Sequence, residues 1–489
     1  MNNIIESVNI TFIPKKYKEE ILKLKNNIYN LNKNIEKINE ISNVLSNILG
    51  EEDKKRYLII FQNSNEIRAT GGFIGSYALV DFYKGELIKY EVPEGGIYDL
   101  KAGFYENIRP PKPFNIMIPK WEIQDSNWFF DFQKSAETID YFFEKSSRTS
   151  IDGIIAINSN ILKNLFSLIG DIELEEYNIT LDSEDPTTKI QKIVSENKNT
   201  NNPKEIINKL FKKVSEDIFS IKENKIFELL NFVNDSINKK HIMIYSKNPI
   251  IQEKIIRLGF SGNISNISNK NNIIEDYLAI VDTNIGGGKT SEFIDREVEH
   301  NIKIYTNGEI ISELKITRQF LENEELENQE VKINREFIRI YTPYGSELIE
   351  NKGFTKINTE KKQYIEQSDY EKLNNLNKYS YIEKETGTYI YNDEGKTIFG
   401  NFSLLNPGES QEIRIKYKLP FKIDYYSNFL NDYINYYLTL QKQSGIDNMK
   451  YSFSIEYPEN KIEKLTEIKN NFSILEKDEI IGIIFTKKE

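Results

Sequence analysis

The chain has 489 residues and a formal net charge of −11, with 64 Lys plus Arg against 75 Asp plus Glu. That acidic balance opposes general nucleic-acid binding, which rests on neutralising phosphates with basic side chains. There is no cysteine, and the two histidines are His241 and His300; this excludes disulfides, thiolate nucleophiles and Cys-ligated zinc and leaves little room for His-based catalysis.

At this length two or three domains are expected, and the apolar content is ample for their cores. Residues 1–20 carry neither a signal peptide nor a membrane span: only Val8–Pro14 is mildly apolar, against the roughly 20 residues a span requires. From Ile21 the apolar positions Ile21, Leu24, Ile28, Leu31, Ile35 and Ile38 alternate steps of three and four, and the pattern continues through Ile41, Leu45 and Ile48 to Gly50. This predicts a long amphipathic helix with heptad character, a stalk over residues 1–50. A pattern of this length favours a helix packed along its own domain; the other reading is a coil through which copies of the chain associate.

Next come strand, loop, strand, turn and strand: Tyr57–Phe61, the polar loop Gln62–Thr70 with Gly71-Gly72, Phe73–Phe82, Lys84-Gly85 and Glu86–Val92. The prolines of Pro93–Pro119 predict an ordered surface loop. Further on the sequence predicts a helix over Ser135–Lys145, a strand over Ile151–Ile157, a helix over Ile161–Ile169 stopped by Gly170 and a strand over Asp171–Leu181. A polar break over Ser183–Pro203, continuous helix over Glu205–Asn238, a strand at His241–Tyr245, a helix at Pro249–Leu258 and a buried strand at Tyr277–Val281 complete the series. Alternating strands and helices make residues 51–290 an α/β or α+β domain. Beyond Thr290 short period-two strands and turns such as Asn307-Gly308, Glu394-Gly395 and Pro407-Gly408 predict an all-β sandwich region over 291–489, in one or two modules.

The candidate site lies in the first loop. Glu66 and Arg68 sit beside Gly71 and Gly72, where bare backbone can approach a ligand. Arg68 would hold a phosphate or carboxylate bidentately with Glu66 orienting it; alternatively the two form an internal ion pair. Asn284, Gly286, Gly287, Gly288 and Lys289, in NIGGGKT, invite comparison with a phosphate-binding loop. However, Thr283 replaces the first glycine and a strand follows where that motif needs a helix, which argues against nucleotide hydrolysis. A glycine-rich anion nest completed by Lys289 remains one reading and a tight boundary turn the other. Asp99, Asp125 and Asp131 are oxygen ligands of the kind Mg²⁺ prefers, though not at EF-hand spacing. Trp121 and Trp128 read as core before sugar platform, and His241 and His300 as structural.

N-x-x-E-x-R-x-x-G-G-F (Asn63 to Phe73), S-N-W-x-x-D-F (Ser126–Phe132), I-D-G-I-I-A-I-N (Ile151–Asn158), N-I-G-G-G-K (Asn284–Lys289), Y-T-P-Y-G-S (Tyr341–Ser346) and K-Q-S-G (Lys442–Gly445) together resemble a bacterial family known as domain of unknown function 4012, from about Tyr57 onward. The resemblance implies a cell-envelope or surface protein with an N-terminal membrane anchor leading into a helical stalk, whereas this chain starts inside the stalk; a cytoplasmic location is left open. The architecture of the first strands is also similar to the LytR–CpsA–Psr envelope enzymes, which transfer glycopolymers from polyprenyl pyrophosphate carriers with arginines, acidic residues and Mg²⁺. That likeness implies a mixed sheet with flanking helices and a phosphorylated, lipid-linked glycan or wall polymer as ligand. The R-x-D signature of those enzymes would place Asp at Thr70, and it is absent. The expectation is therefore a cell-envelope or surface protein that binds a phosphate-bearing or polyprenyl-linked glycan, with glycopolymer transfer as its chemistry if it has one; the alternative is a non-catalytic surface scaffold or adhesion module.

Overall fold

The computed structural model describes residues 38–116, 118–197, 202–267, 273–323, 331–357, 369–373, 380–425, 433–467 and 471–488, with the single residues 23, 32, 35, 36, 200 and 326. Most of the predicted stalk, including Ile21–Leu31 apart from Lys23, lies outside the described residues. Helix α1 covers 38–48, and Gly50 leaves it at φ +67°. Its Val44 and Ile48 are buried against the first sheet, and Glu40 pairs with Arg257 at 2.9 Å. This stretch of the stalk does pack along its own domain.

The first sheet is mixed, with strand order β3-β2-β1-β4-β7, formed by β1 (Lys55–Asn63), β2 (Phe73–Tyr83), β3 (Glu86–Glu91), β4 (Gly153–Asn158) and β7 (Ile242–Ser246). The β1–β4 pair is parallel and its neighbours antiparallel. Lys84 and Gly85 both have positive φ, the two-residue turn that matches strand twist. Helices α2 (Phe132–Ser147), α3 (Ile161–Ile169), α4 (Pro186–Glu196), α5 (Glu205–Phe219), α6 (Ile226–Asn238) and α7 (Pro249–Arg257) flank it.

Four expectations are corrected. Asp171–Leu181 is a hairpin of two short strands, β5 (Ile172–Leu174) and β6 (Ile179–Leu181), because Asn178 adopts the left-handed conformation between them. The polar break contains α4: Asp185 caps it, Pro186 opens it, and Ile190 and Ile193 bury one face. The long helix is two, α5 and α6, parted at Ser220–Lys225. Nor does the proline-rich loop lie wholly on the surface. Ile97, Leu100, Phe104, Ile108 and Phe114 are buried in the principal core.

The remaining strands form two facing sheets. One has the order β13-β14-β15-β11-β8-β17-β21-β19 and the other β12-β16-β10-β9-β18-β20. The elements are β8 (Ile273–Asn284), β9 (Ile294–Ile304), β10 (Glu309–Phe320), β11 (Asn334–Pro343), β12 (Glu347–Lys352), β13 (Tyr381–Ile382), β14 (Tyr389–Asp393), β15 (Lys396–Leu405), β16 (Ser410–Lys422), β17 (Tyr433–Leu440), β18 (Met449–Glu456), β19 (Ile462–Lys464), β20 (Ser473–Ile474) and β21 (Glu479–Lys487). Strand β8 precedes position 290 in sequence yet pairs with β11 and β17 inside the sandwich. Its Tyr277, Ala279 and Val281 face the first core while Leu278 and Ile280 face the inter-sheet core. Burial on both faces is why its sequence is nearly continuous in apolar residues. The result is three sheet layers: five-stranded, eight-stranded and six-stranded. Aromatic residues from 97–143 fill the first gap, and alternating Ile, Leu and Tyr the second. Among the described residues no helix is long and apolar enough to cross a membrane.

Candidate functional site

The loop between β1 and β2 is held in place by charge. Arg68, 3% exposed, donates to Glu66 Oε1 at 3.0 Å, Asp125 Oδ1 at 2.9 Å and the Ile67 carbonyl at 3.2 Å, and its guanidinium lies 5.5 Å from the Phe73 ring and 5.7 Å from that of Phe114. Burial alone would lower its pKa, but Glu66 and Asp125 outweigh it and hold the group charged. Glu66 is pushed up by burial, against the pull of Arg68 and Lys289. Arg68, Asp125, Glu66 and Lys289 thus share one neighbourhood. Within it two carboxylates already occupy the guanidinium, so the internal-ion-pair reading fits Arg68.

The glycines serve close packing. A Cβ on Gly72 would stand 2.2 Å from the Asn63 carbonyl oxygen and one on Gly71 2.6 Å from Ser444 Oγ. In NIGGGKT, Asn284 Oδ1 accepts the Gly287 N–H at 2.7 Å, and its amide donates to the Gly288 carbonyl at 3.0 Å. Gly286 and Gly288 take positive φ to close that turn. Asn284 donates its own N–H to the Ile67 carbonyl, which ties this turn to the Arg68 loop. The three aspartates do not converge on a metal. Asp131 caps α2, accepting the Lys134 and Ile264 N–H groups at 3.1 and 2.9 Å. Asp99 accepts the Gly95 N–H at 3.1 Å, and Asp125 pairs with Arg68. Among the described residues no three acidic or histidine side chains are grouped to hold an ion. Trp121 and Trp128 are core, and both histidines are buried.

What surrounds this loop is assigned no site role by the sequence, although Lys442–Gly445 belongs to the motifs of the resemblance. In the turn after β17, Gln441 to Gly445, the side chains of Gln441, Lys442, Gln443 and Ser444 are buried. Gln443 donates to the carbonyls of Arg68 at 3.0 Å and Asp282 at 2.8 Å and accepts the Asp282 N–H at 2.7 Å. Lys442 donates to the Lys239 carbonyl at 3.2 Å and pairs with Asp447 at 2.9 Å. Asn158 donates to Ser444 Oγ at 3.0 Å. Beside it, Arg296 on β9 and Arg318 on β10 stand directly opposite one another, an arrangement that repels until Asp282 and Glu336 reach across from the facing sheet. Arg296 bonds Asp282 at 2.7 Å, and both arginines meet Glu336. Burial would raise Asp282, but Arg296 and Arg318 hold it below the ordinary carboxylate value. The legible signal was an arginine in the inward phase of an apolar alternation, as in Ile294, Arg296, Val298 and Ile316, Arg318, Phe320.

These segments wall an open cleft of about 370 Å³, within the roughly 300–1,000 Å³ of small-ligand sites. Ser64, Asn65 and Ile67 come from the first loop, Ser159, Asn160 and Lys163 from the start of α3, and Glu184 to Thr187 from the start of α4. Ser291, Glu292 and Arg296, with Gly445 to Asn448, form the opposite side. Ser64 Oγ and Ser159 Oγ are 2.8 Å apart, Asn65 bonds Glu292, and Asn160 bonds Asp447. Glu184, Asp185 and Glu292, with an Asp447 engaged by Lys442, face Lys163 and an Arg296 engaged by Asp282. The two helix N-termini add about half a positive charge each, too little to reverse that balance.

Residues 52–192 match the model of a family described as "Protein of unknown function (DUF4012)". The motif resemblance is thus shown over this segment, which carries the Arg68 loop, the buried tryptophans and the walls of the cleft made by α3 and α4. No curated protein matches the chain. Among solved structures it is similar to a "putative nutrient binding protein" from Legionella pneumophila, at 7% identity over 43% of this chain and 70% of that one, with a TM-score of 0.22. It is also similar to an M1 zinc metallopeptidase from Deinococcus radiodurans, at 8% identity over 41% of this chain and 43% of that one, with a TM-score of 0.18. At TM-scores this low neither likeness carries a functional reading.

Proposed function

We propose that this protein is a non-catalytic binding scaffold of the bacterial cell surface whose polar cleft takes an uncharged or amine-bearing glycan. The carrying observation is the lining: hydroxyl and amide groups of Ser64, Asn65, Ser159, Asn160, Thr187 and Asn448 stand among the carboxylates of Glu184, Asp185 and Glu292 and the Lys442-paired Asp447. The hydroxyls and amides recognise sugar hydroxyls, and the carboxylates attract ammonium groups and repel a phosphate. The surface location rests on the family resemblance, as does the choice of glycan over other polyols. Glycopolymer transfer on the LytR–CpsA–Psr pattern is favoured less, because it needs an arginine open to pyrophosphate and Arg68 is spent on Glu66 and Asp125.

The test is calorimetric binding of three probes: a neutral N-acetylated oligosaccharide, its de-N-acetylated amine form and a polyprenyl pyrophosphate analogue with Mg²⁺. Binding of either sugar, abolished by the cleft-filling Thr187→Trp and indifferent to Mg²⁺, is expected. Binding of the pyrophosphate alone, lost in Arg68→Ala but kept in Thr187→Trp, would overturn the reading.

A further inference from the structure

The contact between α2 and the eight-stranded sheet holds a charged cluster that the cleft does not use. Lys134 reaches from the first turn of α2 to the end of β14, where its Nζ lies 2.5 Å from Asp393 Oδ1 and 3.1 Å from Glu394 Oε1. The Asp393 side chain is 3% exposed, that of Lys134 18% and that of Glu394 44%. Among the described residues Lys134 is the one hydrogen-bond donor to the Asp393 carboxylate. The Phe129 ring centre stands 4.7 Å from the ammonium. The other charges nearby are committed elsewhere. Asp131 accepts the backbone N–H groups of Lys134 and Ile264, Lys396 donates to the Ser265 carbonyl at 2.8 Å, and Lys372 pairs with Glu137.

We propose that this pair is the site of an autocatalytic cross-link, an amide between Lys134 Nζ and Asp393 Cγ, with Glu394 as the proton carrier. The amine and the carboxyl group are already in contact, so the fold has supplied the approach that a bimolecular condensation lacks. Burial would lower Lys134, although Asp393 and Glu394 hold it up, and burial raises Asp393 against the pull of Lys134. Burial thus favours the neutral amine and the neutral acid, the forms that react. A buried ion pair is costly to keep out of water, whereas an amide carries no charge. In the step, the Cγ–Nζ bond forms and one Cγ–Oδ bond breaks. The ammonium gives up two protons and the carboxylate one oxygen, and these leave together as water, with no oxidant or co-reactant. Glu394, at the open rim, takes a proton from the nitrogen and returns it to the departing oxygen. The chain has no cysteine, so a covalent tie between segments 259 residues apart has to use other side chains.

The test is intact-mass spectrometry of the purified full chain under denaturing conditions, followed by peptide mapping. The wild-type chain is expected to read one water below the mass of its sequence, with fragment ions joining the peptide of Lys134 to that of Asp393. Lys134→Arg and Asp393→Ala are each expected to read their full sequence mass, a result that does not depend on how well either variant folds. Glu394→Gln keeps a hydrogen-bonding side chain at the rim and is expected to fold with the bond unformed. A wild-type chain at its full sequence mass would overturn the proposal. So would a water loss that persists in Lys134→Arg or maps to another pair of residues. A Glu394→Gln chain linked as fully as wild type would overturn the role given to Glu394.

Discussion

Arg68 shows how a residue that reads as a ligand clamp can be a structural tie. A buried carboxylate is expensive unless paired, and two carboxylates around one guanidinium leave that guanidinium little charge to offer. Exposure would have decided between the readings, and sequence spacing does not reveal exposure. Buried histidine is the other residue-scale feature with a measurable consequence. His300 Nδ1 lies 2.7 Å from the Tyr451 hydroxyl and Nε2 2.8 Å from that of Ser312, and burial lowers its pKa to about 3. The unfolded chain takes up this proton near pH 6.5, the folded chain only near 3. Stability from this group is therefore complete above about pH 6.5 and is lost as pH falls toward 3, at about 1.4 kcal/mol per unit. Urea unfolding at pH 7, 6, 5 and 4 should show His300→Gln with a shallower acid decline than wild type, by up to that amount per unit. The difference between the curves isolates this residue from the carboxylates; parallel curves would contradict the assignment.

Among the elements, the turn from Gln441 to Gly445 does most to shape the site. It is the cap of β17, and its amides bond the backbone of a loop more than 370 residues earlier. Gly445 has φ +84°, and a Cβ there would meet the Gly71 carbonyl oxygen at 2.2 Å. Gly387 has φ +74° with open space around its missing Cβ. Both alanine variants bear the left-handed backbone cost, roughly 1–2 kcal/mol. Gly445→Ala also has to displace the first loop, so chemical denaturation should show it losing clearly more stability than Gly387→Ala. Equal losses would mean that the turn does not brace the loop. Local patterns made the first hairpin, α3, β7, α7 and the period-two strands legible, because each satisfies its own hydrophobic period. The hairpin at Asn178 and the helix behind Asp185-Pro186 were legible too, in turn and cap chemistry that a polar composition concealed. The bracing turn was not, since nothing in its own spacing records a partner so distant in sequence.

Over the whole molecule, the first sheet and the sandwich are joined by a continuous core and by the bonds that Gln443 and Asn284 make to the backbone of the first loop, while the buried ion cluster of Asp282, Arg296, Arg318 and Glu336 ties the two sandwich sheets together. The strand that sequence order assigns to the first region, β8, lies at the centre of the eight-stranded sheet. A periodic pattern identifies a strand but not its neighbours. That cross-chain assembly is what makes the cleft: its walls come from five separate parts of the sequence. The α/β class and the β-rich second half were therefore readable, while the cleft was not. Its residues are ordinary Ser, Asn, Asp and Glu that acquire meaning only when brought together.

On the proposed function this cleft, and not the Arg68 ion pair, is the working surface. Hydrogen–deuterium exchange of the full chain, with and without saturating amine-bearing oligosaccharide, tests it most directly. Protection is expected at peptides covering 64–65, 159–163, 184–187, 291–292 and 445–448, with 68–73 unchanged. Protection centred on 66–73 and 286–289, with the cleft peptides unaltered, would contradict it.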